Sequence, residues 1–342
     1  MIPGLVERLR AEGPIPFAAF MEAALYDPEG GFYATGGQAG RRGGHFLTSP
    51  EVGPLFGAVL ARALDGWWEE LGRPSPFTVV DAGAGPGTLA RAVLAAEPAV
   101  LRAGALRYVM SERSSAQRAA HVDIPTDSTS NRWPRAFEGV VVANELLDNL
   151  PFRLAVFDGG WQEAFVDVAP DGGLVEVLRS FTELPPCLPP DAPHGARAPV
   201  QDEAAAWVRA AVGAVIRGRV VVIDYARTTS EMAALPWREW LRTYRRHERG
   251  GHYLADPGTQ DVTVDVALDQ LPRPSAVTTQ AEFLVHHGLD ELVEEGRRRW
   301  QAGAAAPDLA ALAGRSRIQE AEALSDPNGL GGFTVAQWVL RS

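Results

Sequence analysis

Four short apolar runs, each closed by a polar residue, set the rhythm of the middle of the chain. They are FTVVDAG from Phe77, RYVMSE ending at Glu112, GVVVANE ending at Glu145 and RVVVIDYA around Asp224. Helical lengths separate them, beginning with TLARAVLAA from Thr88. Near-continuous valine-rich runs of this length predict strands buried on both faces, hence a parallel sheet with helices on either side. In such sheets a ligand lies beyond the carboxyl ends of the strands, which marks Asp81, Glu112, Asn144 and Asp224 as candidates to converge on one cleft. FTVAQWVL at the end of the chain predicts a last strand, antiparallel and near a sheet edge.

The flanking segments follow other rules. Residues 1–75 read as helical, interrupted by the glycine-rich stretch GGFYATGGQAGRRGGHF from Gly30 to Phe46. An amphipathic run then reaches Leu71; Thr48 or Ser49 suits its N-cap and Pro50 its first turn. Residues 158–199 are rich in Pro and Gly and hold one hairpin, WQEAFVDVAPDGGLVEVLR, so they read as an insertion or lid. The expected division is 1–75, 76–157, 158–199 and 200–342, with the α/β domain split between the second and fourth segments.

Composition narrows the chemistry. The 342 residues are 46% hydrophobic, enough for a substantial core. The net charge of −11 argues against tracking a phosphate backbone, so no nucleic-acid partner is expected. All 32 basic residues are Arg, which excludes Schiff-base lysine chemistry and a Walker-type lysine. One cysteine, Cys187, excludes an internal disulfide and a multi-cysteine metal site, and no metal is expected. No run suits a signal peptide or a membrane span, which makes the cytoplasm the default expectation. A homodimer is left open. Arg242, Arg245, Arg246 and His247 read as a solvated basic face, and His286-His287 as a helix surface.

The most specific feature is the loop Asp81-Ala82-Gly83-Ala84-Gly85-Pro86-Gly87-Thr88 between the first strand and its helix. Glycines let the backbone turn tightly and approach a ligand, and the helix start offers free N–H groups to an anion. Glu112, ending the next strand, stands where both hydroxyls of a ribose would be received. A dinucleotide site uses similar parts, so the loop alone keeps a nicotinamide cofactor open. Two details favour S-adenosylmethionine (SAM). Thr88 occupies the third glycine position of the dinucleotide fingerprint, and the Asp81 carboxylate suits a cationic ligand better than a diphosphate.

Taken together, the motifs resemble the MidA-like SAM-dependent methyltransferases, whose mitochondrial members assist respiratory complex I assembly. The resemblance rests on Gly44-His45-Phe46-Leu47-Thr48-Ser49-Pro50-Glu51, on the glycine loop with Leu89, and on Ala143-Asn144-Glu145-Leu146-Leu147-Asp148-Asn149-Leu150-Pro151. LYDPEGGFY, IDYA, YRRH, the Asp256-Pro257-Gly258 turn with DVTVDV, and TQAEFL follow the family in order. His45 departs from the family's usual Asp, and Ala84 and Pro86 rearrange the glycine loop. The resemblance implies a doubly wound, Rossmann-like α/β methyltransferase with an N-terminal helical segment and a lid, and a protein arginine as acceptor. A small-molecule O- or N-methyltransferase and a SAM-binding assembly factor without turnover remain alternatives.

Site roles follow on that footing. Asp81, Gly83, Gly85, Gly87, Thr88, Glu112, Ser49 and Asn144 are expected at the cofactor, and His45 and Tyr225 at the substrate. Asn144, Glu145, Asp148 and Glu51 are expected to handle the reaction. Spacing alone also allows Asn144 to cap a following helix, with Glu145 and Asp148 sharing its face. It equally allows Thr48 and Glu51 to form a capping box.

Overall fold

The computed structural model describes residues 2–35, 48–130, 132–245, 248–304 and 308–341. His45, Arg246, His247 and most of the glycine-rich stretch before Thr48 lie outside the described residues. The chain forms two compact units, residues 47–145 with 211–223 and 274–342, and residues 1–46 with 146–210 and 224–273. Strand pairing between distant segments produces this grouping, which differs from four consecutive segments.

The first unit carries a seven-stranded sheet. Its strands are β1 (Phe77–Ala82), β2 (Leu106–Ser111), β3 (Asp127–Thr129), β4 (Phe137–Asn144), β5 (Val215–Asp224), β6 (Ala276–Thr279) and β7 (Thr334–Leu340), in the order β3-β2-β1-β4-β5-β7-β6. The four apolar runs form β1, β2, β4 and β5, paired in parallel. β1 is buried along its whole length, as the valine run implied. β7 lies one strand from the edge and pairs antiparallel with β6.

The strand order reverses between β1 and β4, so the crevice beyond their carboxyl ends is where an open α/β sheet takes its ligand. Helix α1 (Pro54–Glu70) buries Leu55, Phe56, Val59, Leu60, Ala63, Leu64 and Trp67, a stripe at helical spacing. Helix α2 (Thr88–Ala95) follows the glycine loop.

The second unit has its own sheet. Residues 15–16, 153–157, 161–168, 174–180 and 197–200 pair antiparallel. The hairpin expected at 161–179 is present. The stretch read as an insertion or lid supplies most of three strands of this sheet. Phe17, Phe20, Met21, Leu25, Phe152, Leu154, Trp240, Tyr253, Val262 and Val264 share one core beside it.

Backbone approach is closest in the centre of the seven-stranded sheet. Gly139 has φ +148°, and a Cβ there would stand 1.9 Å from the carbonyl oxygen of Thr78 in β1. Gly139→Ala should therefore lower unfolding free energy by about 3 kcal/mol, because both the clash and the backbone angle oppose it. Urea unfolding measures this, and an unchanged midpoint would show that the sheet yields at that point.

Candidate functional site

The loop after β1 is held by backbone hydrogen bonds and by the side chains of Glu112 and His121. Gly83, Gly85 and Gly87 have φ of +71°, +53° and +83°, all left-handed. At Gly87 a Cβ would also meet Ile124 Cδ1 at 2.4 Å, so a side chain there would have to displace Ile124 as well as adopt the left-handed backbone. Gly83 N–H donates to the Ser111 carbonyl at 2.8 Å. Gly85 N–H donates to Glu112 Oε2 at 2.9 Å, and His121 Nε2 lies 2.7 Å from the Gly85 carbonyl oxygen. The other His121 nitrogen sits 2.8 Å from Ser128 Oγ, so β3 braces the loop through this ring. Sequence reading missed His121, and its solitary position among small and polar residues carried no signal.

Two carboxyl groups flank the turn. Glu112 also accepts from Ser114 N–H at 2.7 Å. Burial pushes its carboxyl up, against the pull of those N–H groups and the nearby His121 and Arg118. Asp81 is 3% exposed and accepts from the Tyr108 hydroxyl at 3.1 Å. Burial raises it to about 7, opposed by the Tyr108 bond and aided by the Glu112 charge. At neutral pH Asp81 therefore sits close to half-ionised, and a cation arriving beside it would draw it fully into the charged form.

Glu51 does not close a capping box. Thr48 is the N-cap of the Ser49–Val52 turn, but its side chain makes no capping bond. The Glu51 carboxylate instead accepts from Thr88 Oγ1 at 2.7 Å, reaching the first residue of α2. The turn is only four residues long, so the neighbouring helix start outcompetes the local bond. Ser49 is fully buried and its hydroxyl donates to Gln280 Oε1 at 2.8 Å, which engages that side chain within the protein.

At the end of β4 the chain departs from the helical expectation. Glu145 has φ +50°, an uncommon conformation for a residue with a Cβ. Its N–H donates to the Ile223 carbonyl, and its Oε1 accepts from Asn144 Nδ2 at 3.1 Å and from Ser49 N–H at 3.4 Å. A 3₁₀ turn, Leu147–Asn149, follows in place of a helix. Asn144 consequently caps nothing, and Glu145 and Asp148 share no helix face. Asn144 Oδ1 is buried without a hydrogen-bond partner, a group left waiting for a donor.

In the second unit Asp148 is buried, and its carboxyl is pushed well up by burial and by the charges of Asp224 and Asp261. Asp224, expected to face a ligand, uses both oxygens on backbone: Oδ2 accepts from Leu147 and Asp148 N–H, and Oδ1 from Tyr225 N–H. The Tyr225 ring packs under the Arg242 guanidinium, 4.6 Å from its centroid. Arg242 is not part of a solvated basic face: it is 8% exposed and paired with Asp265 at 2.5 Å. His287 likewise leaves the surface, packing edge-on against Trp67 and Phe283 in the first unit; burial and the adjacent His286 lower it to about 4. Cys187 is half-buried and burial raises its thiol, the opposite of what a reactive cysteine needs.

A sheet whose order reverses at a left-handed glycine turn, with an acid ending the next strand, defines a nucleoside-binding α/β enzyme. The chain belongs to the S-adenosyl-L-methionine-dependent methyltransferase family whose model matches residues 59–286. It is 30% identical over 304 residues to the mitochondrial protein arginine methyltransferase NDUFAF7 homologue of Drosophila melanogaster, covering 77% of this chain and 68% of that one. The mouse protein arginine methyltransferase NDUFAF7 is 26% identical over 341 residues, covering 85% and 74%. A Burkholderia thailandensis superfamily member, solved bound to S-adenosyl-homocysteine, superposes with a TM-score of 0.81. It is 28% identical over 98% of this chain and 91% of that one. This chain is thus a SAM-dependent methyltransferase, and SAM is its cofactor.

Because the folded value of Asp81 lies above that of an unfolded chain, its neutral form is favoured in the fold. Its contribution to stability is complete below about pH 4 and is lost as pH climbs towards 7. Asp81→Asn should therefore gain on the parent between pH 5 and pH 8, by a few kcal/mol at most on the order of magnitude that such a shift allows. Urea unfolding of both proteins without cofactor checks this; a stability difference that ignores pH would contradict it.

Proposed function

We propose that this enzyme transfers a methyl group from SAM to a guanidino nitrogen of a protein arginine. The acceptor class rests on the likeness to the Drosophila melanogaster and Mus musculus arginine methyltransferases, which spans most of each chain. The donor's place rests on the glycine turn tied to Glu112. SAM supplies an electrophilic methyl on a sulfonium, already activated, so the protein's task is positioning and a suitable polar setting.

The residues present suit that group. The backbone of Gly83, Gly85 and Gly87 and the start of α2 at Thr88 are assigned to the methionine carboxylate. Glu112 keeps lone pairs for the ribose hydroxyls beyond the two N–H groups it already receives. Asp81 and the unpartnered Asn144 Oδ1 are assigned to the cationic amino end. Glu51 holds the start of α2 through Thr88 rather than acting on a substrate directly. Ser49 contributes through its backbone N–H to Glu145, which it helps to orient. In transfer a carbon–nitrogen bond forms as the carbon–sulfur bond breaks, and the acceptor nitrogen gives up one proton during or after that step. Glu145 and Asp148 are the carboxyl groups assigned to the acceptor, with Tyr225 and His45 as further substrate-side residues.

Radiolabelled SAM added to cell lysate should place label in protein, recovered after hydrolysis as methylarginine. Label confined to small molecules would overturn the acceptor. Glu112→Gln should weaken SAM binding about tenfold or more, the worth of a charge-assisted hydrogen bond. Calorimetry reads this directly. Glu145→Gln should leave SAM affinity unchanged and lower transfer about a hundredfold; transfer at the parent rate would remove Glu145 from the acceptor side.

A further inference from the structure

Among the described residues, the buried carboxyl oxygens without a hydrogen-bond partner are Asp148 Oδ1 and Asp261 Oδ2. Both belong to the second unit. Asp261 is fully buried in the strand Asp261–Val264. Its other oxygen accepts from the Tyr33 hydroxyl at 3.3 Å and from Asn149 Nδ2 at 3.1 Å. Tyr33 also donates to Asn149 Oδ1 at 2.9 Å, and its ring stacks on Tyr26 with centroids 5.5 Å apart. Asn149 and Asp148 are neighbours in the same 3₁₀ turn. The turn's own N–H groups are already taken by Asp224. The Asp261 carboxyl is thus oriented by Tyr33 and Asn149, Asp148 is carried beside Asn149 on the turn, and each acid keeps one oxygen unsatisfied.

The protein offsets these charges only in part. Arg242, the nearby cation, pairs with Asp265 and donates to the Glu239 carbonyl, and its charge opposes the rise at Asp148 without reversing it. Neither Asp148 nor Asp261 takes part in an ion pair among the described residues. No group of three His, Cys, Asp or Glu side chains fit to hold a metal is present there either. Leaving such oxygens bare costs free energy, and a polar cation with several N–H donors is the chemistry that recovers it.

We propose that Asp148 and Asp261 together recognise the guanidinium of the acceptor arginine, with Tyr33 and Asn149 as positioning residues that fix Asp261. This rests on the arginine reading of the acceptor and adds the residues that select it. Guanidinium is planar and presents five N–H donors in a fixed fork, so it can address two carboxyl oxygens at once where an ammonium offers a point charge. Burial raises both acids, Asp261 to about 7, which favours the neutral form while the site is empty, and an arriving cation favours the charged form. Reaching a buried pair requires covering side chains to move, so a single amino-acid amide should bind only at millimolar concentration.

The test uses the full chain with saturating SAM-site ligand S-adenosyl-homocysteine and the probe N-acetyl-arginine amide, followed by ligand-observed NMR. The neutral isostere N-acetyl-citrulline amide and N-acetyl-lysine amide are run beside it. Arginine amide should bind at least tenfold tighter than either. Asp148→Asn, which keeps the shape of the neutral acid, should lose that preference while S-adenosyl-homocysteine affinity is unchanged. Tyr33→Phe should weaken arginine selectivity severalfold without altering citrulline binding. Equal binding of the three amides, a comparison needing no variant, would overturn the proposal, as would Asp148→Asn with parental selectivity. Arginine selectivity without methylarginine in the labelling experiment would instead keep the guanidinium pair and reject arginine as the methylated group.

Discussion

Burying a carboxyl group without a counter-charge is expensive, and this chain does so repeatedly, near or beyond the carboxyl ends of strands for Asp81, Glu112 and Asp148 and at the start of a strand for Asp261. Asp81, Glu112, Asp148 and Asp261 are all pushed up by burial. The cost is met in different ways. Glu112 is satisfied by backbone N–H groups of the glycine turn and of Ser114, so it acts as a clasp as much as a binding group. Asp81 has a phenol for company. Asp224 is wrapped by three backbone N–H groups, which engage both its oxygens in holding the turn. Sorting the acids by what already satisfies them separates those that hold the fold from those with chemistry to spare.

The seven-stranded sheet was readable because a strand buried on both faces leaves a strong local mark. Four valine-rich runs, each closed by a polar residue, became four parallel strands with their ends in register: Ala82 pairs with Ser111 and Ala143, and Asn144 with Ile223. The second unit left a weaker mark. Its sheet joins residues 15–16 to 165–166 and 153–156 to 197–200, and no local pattern announces partners so far apart. DVTVDV shows the limit of periodicity. Its alternation suggests one wet face, yet Asp261, Thr263 and Asp265 are as buried as the valines between them. They are kept there by Asn149, Tyr33 and two arginines, partners distant in sequence.

The candidate site divides along the same line. The glycine turn and Glu112 were legible because their chemistry is local: three left-handed residues and a strand end. Glu51 was read as either a capping-box acid for Thr48 or a site residue, and the fold gives its carboxylate a bond to Thr88 that spacing did not show. The segment after Asn144 was misread because Glu145 adopts a left-handed backbone that no propensity argument assigns to glutamate. That conformation turns its N–H towards β5 and its carboxylate towards Asn144, and the helix that spacing suggested cannot start.

Six consecutive residues, Asn144 to Asn149, therefore hold a left-handed glutamate, an amide oxygen without a partner and a bare buried carboxyl. A sequence selected only for stability would have little reason to concentrate such costs, since each has a cheap remedy: glycine for Glu145, an apolar residue for Asp148. Outside this segment, among the described residues, the buried side-chain atoms without partners are the Asp261 carboxyl oxygen and neutral groups or arginine Nε atoms scattered through both units, such as Thr126, Thr278 and Trp240. What distinguishes this segment is that its unsatisfied atoms are all acceptors. The methyl donor carries an ammonium, a cationic hydrogen-bond donor, and the unmet amide oxygen of Asn144, at the end of the strand where the sheet order reverses, is a complement to it.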